Sequence, residues 1–168
     1  DTAAGAIVGQ LQLGERDDED QRYSMPQTLL VDGRRAVVFG HESVAAEALP
    51  GDPSATRPSH DYLTVTLVDL ADPAAPEVTE RVRIEGRLVA VRRVGSEVRM
   101  VTSSSLADLP MVAPTTPSSV APALHQNRLA VAGSAIGDWI PEWDRGEGTD
   151  STPLVGCDGV VVPDTFAG

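Results

Sequence analysis

The chain of 168 residues has a single cysteine, few aromatic side chains and fewer basic than acidic groups. Each shortage excludes something. With Cys157 alone there is no disulfide framework within the chain. Neither Cys-x-x-Cys nor His-Glu-x-x-His spacing occurs, so the sequence offers no metal site. Two readings of Cys157 stay open: a buried thiol acting as a small apolar residue, or a partner for a cysteine elsewhere in a longer protein. No apolar run approaches the roughly 18 residues a membrane-spanning helix needs. No charged n-region precedes an apolar h-region, but the chain opens on Asp1, so this carries nothing about a longer parent.

Basic residues number 13 against 25 acidic ones, a net charge of −12. That balance argues against nucleic acid and against anionic membrane surfaces, both of which need basic patches. Lysine is absent and Ala, Val, Arg and Asp are abundant, a usage associated with high-GC bacterial genomes. Catalytic patterns are missing too. The serines at 103–105 lack the Gly-x-Ser-x-Gly elbow of a hydrolase nucleophile. Gly146-Glu147-Gly148 precedes no helix pattern and so builds no phosphate cradle. Cys157 has Asp158 beside it and no basic neighbour to lower a thiol pKa. The acidic run Asp17-Asp18-Glu19-Asp20 lacks the alternating ligands and turn glycine of an EF-hand loop, and reads as solvated.

What is present is strand periodicity. Residues 27–40, QTLLVDGRRAVVFG, are two apolar runs around Asp32-Gly33, a two-residue hairpin turn. Residues 62–70 alternate as a third strand, and residues 77–86 as a fourth, joined by the Pro-stiffened turn 69–76. Residues 87–103 repeat the first hairpin around Val94-Gly95-Ser96. Four strands followed by a second copy of the first two form the signature of a β-propeller blade and the opening of the next. Residues 7–13 read as one further strand, residues 14–26 as a charged loop and residues 41–61 as a polar loop. After Ser103 a Ser/Thr/Pro-rich linker leads to a predicted helix over 122–138, capped by Ser118 or Ser119 and ended by Pro141. Residues 142–153 read as loop, and residues 154–163 contain one more short strand.

These segments resemble those of bacterial and archaeal secreted proteins with a C-terminal β-propeller domain, a family distantly related to WD-40 repeats. The resemblance rests on TVTLVDLADPAAPEV at 64–78, RIEGRLVAVRRVGSEVRMVTS at 83–103, Asn127, the Asp138-Trp139-Ile140-Pro141 turn and LVGCDGVVVPDTFAG at 154–168. It departs from the family at Leu67 and Met100, which fill aromatic positions. The expected fold is therefore all-β, a partial propeller. Residues 1–26 would hold an outer strand of a preceding blade and an acidic loop, 27–86 a complete blade, 87–104 the inner strands of the next, and 105–168 a Pro-rich, partly helical insert leading to a missing strand.

The resemblance implies an extracytoplasmic setting, secreted or at the cell surface, and the chain reads as an internal segment of a larger protein. A non-catalytic scaffold for a protein or polymer ligand is the expected role. The alternative is a fragment of a propeller hydrolase or lyase whose channel site is completed by missing blades. No catalytic residue, metal or cofactor is assigned. The candidate binding residues are Trp139, Trp143, His41, His60 and Asp61. The two tryptophans suit an aromatic patch for a peptide or sugar, or Trp139 serves to anchor the insert against the blades. His60-Asp61 could act as base and orienter, though polar residues in a Pro-rich loop need no catalytic reason. His41, with Glu42 beside it, stands on the same footing. Unpaired strand edges invite association with the remaining blades of a parent or with copies of the chain, without nucleic acid and without membrane insertion.

Overall fold

The computed structural model describes residues 5–17, 22–44, 48–49, 52–56, 59–104, 109–145 and 150–161. Its strands are β1 (Glu15–Asp17), β2 (Arg22–Asp32), β3 (Arg35–Val44), β4 (Ala48–Leu49), β5 (Asp52–Thr56), β6 (His60–Asp69), β7 (Glu77–Glu85), β8 (Arg87–Val94) and β9 (Glu97–Ser103). Helix α1 (Val120–Gly133) follows, and then β10 (Glu142–Asp144) and β11 (Thr152–Pro153). A seven-stranded antiparallel sheet runs in the order β1-β2-β3-β6-β7-β10-β11, while β4 with β5 and β8 with β9 form separate pairs. The sheets do not close on themselves, so the all-β, partial-propeller architecture stands as expected.

The four blade strands β2, β3, β6 and β7 pair in chain order; short turns link β2 to β3 and β6 to β7, while the longer connection from β3 to β6 contains the β4–β5 pair. Gly33 and Gly95 take φ of 59° and 63° at the first position of each tight turn, a conformation side chains disfavour. The turn residues are thus Gly33-Arg34 rather than Asp32-Gly33. Between β6 and β7, the Ala71 amide donates to Asp69 Oδ1 at 2.7 Å and the Ala74 amide donates to Asp72 Oδ1 at 2.9 Å. These Asx turns hold the Pro-rich reversal.

Strand pleating sorts the residues onto two faces. One face buries Phe39, Leu63 and Ile84, with Leu30, Val37, Val65 and Val82 around them. Leu88 and Val91 of β8 pack onto this cluster, which docks the second hairpin on the blade. Gly86 makes the passage between them, at φ 105°. A Cβ there would collide with the Ser103 carbonyl at the end of β9.

Several expectations change. Residues 7–13 are not a strand; the backbone of Gly9 instead lies against the Pro73 carbonyl of the β6–β7 turn. The blade strands are longer than expected: β2 starts at Arg22, ahead of residue 27, and within the blade β3 runs on to Val44 and β6 begins at His60. Pro26 sits inside β2, tolerated because β1 flanks only residues 22–24 and the register shifts between Pro26 and Thr28. The loop expected at 41–61 contains the small pair β4–β5. The helix starts earlier than predicted and stops at Gly133, with single-turn 3-10 segments at Pro117–Ser119 and Ile136–Trp139. Ser119 is its N-cap, without a side-chain capping bond. The strand expected in 154–163 is replaced by β11 just before it and a 3-10 turn at Cys157–Gly159. Cys157 is exposed, so the buried-thiol reading does not hold. Most of the acidic run, Ser105, Gly146-Glu147-Gly148 and residues 162–168 lie outside the described residues.

Two substitutions test this account. Phe39→Ala removes the largest fully buried side chain and should cost about 3–5 kcal/mol in denaturant unfolding. Gly86→Ala should also destabilise, although no apolar contact is lost; an unchanged unfolding midpoint would contradict the tight passage into β8.

Candidate functional site

The second face of the blade is polar, and it is assembled by register. Ser24 lies opposite Glu42, Glu42 opposite Tyr62, Thr64 opposite Arg83, and Arg83 opposite Asp144. Five strands therefore bring these side chains to one surface. Arg83 is its hub. Its Nε and Nη2 donate to both oxygens of Asp144 at 2.9, 3.2 and 2.8 Å, and its Nη1 donates to Glu42 Oε1 at 3.0 Å. The guanidinium carbon lies 4.9 Å from the centroid of the Tyr62 ring. Arg22 adds a longer ion pair, Nε to Glu42 Oε1 at 3.7 Å. Glu42, Arg83 and Asp144 are all buried.

This geometry suits arginine chemistry: a planar fork meets one carboxylate in bidentate fashion and still reaches a second. The hydrogen bonds to Asp144, with a smaller contribution from Glu42, hold Arg83 even more firmly protonated than an ordinary arginine, against the opposing effect of burial. The consequence is mechanical. Asp144 belongs to the insert, 61 residues away in the chain, and the pair clips β10 onto the outer edge of the blade. The Glu142 amide donates to Glu85 Oε2 at 2.9 Å and reinforces the same seam.

The sequence-derived candidates separate. Asp61 pairs with His41, not with its neighbour His60: His41 Nε2 lies 3.2 Å from Asp61 Oδ1. Asp61 Oδ2 also faces Arg87 Nε at 3.5 Å, and the Asp61 carbonyl accepts from the Gly86 amide at 2.7 Å. Asp61 is thus the junction between β6 and the start of the second hairpin. The His60 ring stacks near Tyr62, centroids 6.3 Å apart. Trp143 packs against the Phe39–Leu63–Ile84 cluster, whereas Trp139 is 39% exposed and donates from Nε1 to Ser134 Oγ at 2.9 Å. Trp143, packed on the core cluster, therefore anchors the insert. Among the described residues, no group of three His, Cys, Asp or Glu is placed to hold a metal, and no helix is long and apolar enough to cross a membrane.

The Arg83 cluster escaped sequence reading because Glu42 sits in a stretch that looked like loop, and Asp144 in another. The one available signal was that charged residues flank apolar strand runs at both places.

Arg83→Met should lower stability by about 3–5 kcal/mol, since it leaves Glu42 and Asp144 buried without their cation. A folded-state pKa raised above the unfolded one contributes stability at every pH below the unfolded value, and loses it only above that. For Arg83 that loss lies beyond ordinary alkaline conditions. The difference between wild type and Arg83→Met in urea midpoints should therefore stay constant from about pH 7 to about pH 10. A difference that shrank over this range would remove Arg83 as its source.

Comparison with known proteins gives one match. A family model described as a beta propeller domain matches residues 2–168. No curated protein and no solved structure matches the chain.

Proposed function

The chain belongs to the beta propeller domain family, and on that premise we propose that it is a non-catalytic scaffold segment of a secreted or cell-surface protein, working by association through its open hairpin. The observation that carries this reading is β9. It pairs only with β8 among the described residues, and it exposes Val98, Met100 and Val101. An isolated two-stranded hairpin is marginal in water, and an uncovered apolar edge is a template for another strand. The complement is a further blade of a parent protein or a second copy of this chain, with a protein or polymer ligand bound on the assembled surface. Secretion, bacterial or archaeal origin and the WD-40 relation are supported by the sequence resemblance described above.

A second reading rests on the His41–Asp61 pair, whose spacing suits a general base and its orienting group. In that reading the chain contributes to a hydrolase or lyase site completed by further blades. Turnover in a glycosidase, lactonase or peptidase screen, abolished by His41→Gln, would replace the scaffold reading.

Light scattering coupled to size-exclusion chromatography tests the first. Association should rise with concentration, and Val101→Lys on the exposed edge should weaken it by about tenfold or more. A strict monomer at high concentration, or association indifferent to Val101→Lys, would overturn the role of this edge.

A further inference from the structure

The polar face of the blade also holds a cavity of about 400 Å³, lined by Gln12, Leu13, Gly14, Thr66, Val78 and Arg81. Thr66 and Arg81 are cross-strand partners on β6 and β7 and belong to the blade. Residues 12–14, which precede β1, form the opposite wall. Leu13 and Val78 make part of the lining apolar.

Arg81 is the informative residue. It extends over the sheet so that Nη2 donates to Ser24 Oγ at 3.2 Å, while its Nε is buried and meets no hydrogen-bond partner. No carboxylate lies within ion-pair distance of it among the described residues. Arg83, two positions along the same strand, takes up both Glu42 and Asp144. The chain has nearly twice as many acidic as basic groups, yet among the described residues the half-buried Arg81 on the cavity wall has no counter-charge. A partly buried guanidinium with no carboxylate partner is costly, and an anion in the cavity would give its accessible nitrogens a charge-assisted partner.

We propose that this cavity binds a small monocarboxylate, its oxygens held by Arg81 with the Thr66 hydroxyl alongside, and its short apolar body against Leu13 and Val78. A single guanidinium and apolar walls favour a monoanion over phosphate, which carries more charge and no apolar body. The carboxylate could belong to a free acid or to a peptide C-terminus, and the chemistry at Arg81 is common to both. This face of the blade is distinct from the β9 edge, so the proposal stands apart from the scaffold reading.

Calorimetric titration of the whole chain with isobutyrate, isobutyramide, inorganic phosphate, and a valine-terminated tripeptide with free or amidated C-terminus tests it. Saturable isobutyrate binding is expected, with isobutyramide weaker by about tenfold or more, and with a matching rise in melting temperature for the acid alone. Arg81→Gln should lose about tenfold or more. Val78→Glu, at a partly exposed position, should block binding by placing a carboxylate in the cavity wall, which guards against a variant that fails to fold. Binding of the free-terminus tripeptide but not its amide would assign the carboxylate to a peptide end; binding of isobutyrate alone would assign it to a free acid. No saturable heat at tens of millimolar with either carboxylate, equal affinity for isobutyramide, phosphate binding as tight as isobutyrate, or wild-type affinity in Arg81→Gln or Val78→Glu would each overturn the proposal.

Discussion

The bidentate contact between Arg83 and Asp144 is the interaction on which the arrangement of this chain depends. Local antiparallel pairing builds β2, β3, β6 and β7 in chain order, through short reversals before β3 and β7 and a longer connection, holding β4 and β5, before β6. Nothing comparable returns the chain from helix α1 to the blade. That return needs a long-range contact, and it is made twice at one point: on the polar face by Asp144 to Arg83, and on the apolar face by Trp143 to the Phe39–Leu63–Ile84 cluster. Adjacent residues of one short strand thus grip both faces of the sheet, which is what strand pleating provides.

All 13 basic residues of the chain are arginines. The polar face shows why this matters. An ammonium group at position 83 could not meet Asp144 with two parallel bonds, reach Glu42 and sit over the Tyr62 ring together. The same planar geometry lets Arg81 reach Ser24 while its Nε remains turned elsewhere. Two arginines on one strand, one saturated and one not, divide the face into a structural part and a part open to a ligand.

Much of the fold was legible because its information is local. Alternation in 62–70 and 77–86, the glycine turns at 33 and 95, and the repeat of the first hairpin in the second all depend on neighbours a few residues apart. The misses share a different physics. Pro26 reads as a strand breaker, but the register shift beside it absorbs the missing amide. His41, Glu42 and Ser43 read as loop because they are polar, yet Glu42 is buried through charges supplied from β2 and β7. The segment 7–13 alternates well enough for a strand but lies against a turn rather than along a free edge. Of the candidate residues, Asp61 was placed beside the wrong histidine because adjacent strand residues point to opposite faces, while His41 comes near from the next strand.

The short strands at the two ends of the large sheet have a consequence for how such a chain can multiply. One end is β1, three residues long; the other is β11, two residues long and ending at Pro153, which has no amide to donate. Both are poor templates, whereas β9 is seven residues long. The outer edges of the second hairpin, on β8 and β9, are the longer unpaired edges among the described residues, and pairing through β9 alone would be isologous, across a two-fold axis. Blunted ends therefore close the large sheet to further strand pairing and leave the second hairpin as the place where an added strand would meet a full-length edge.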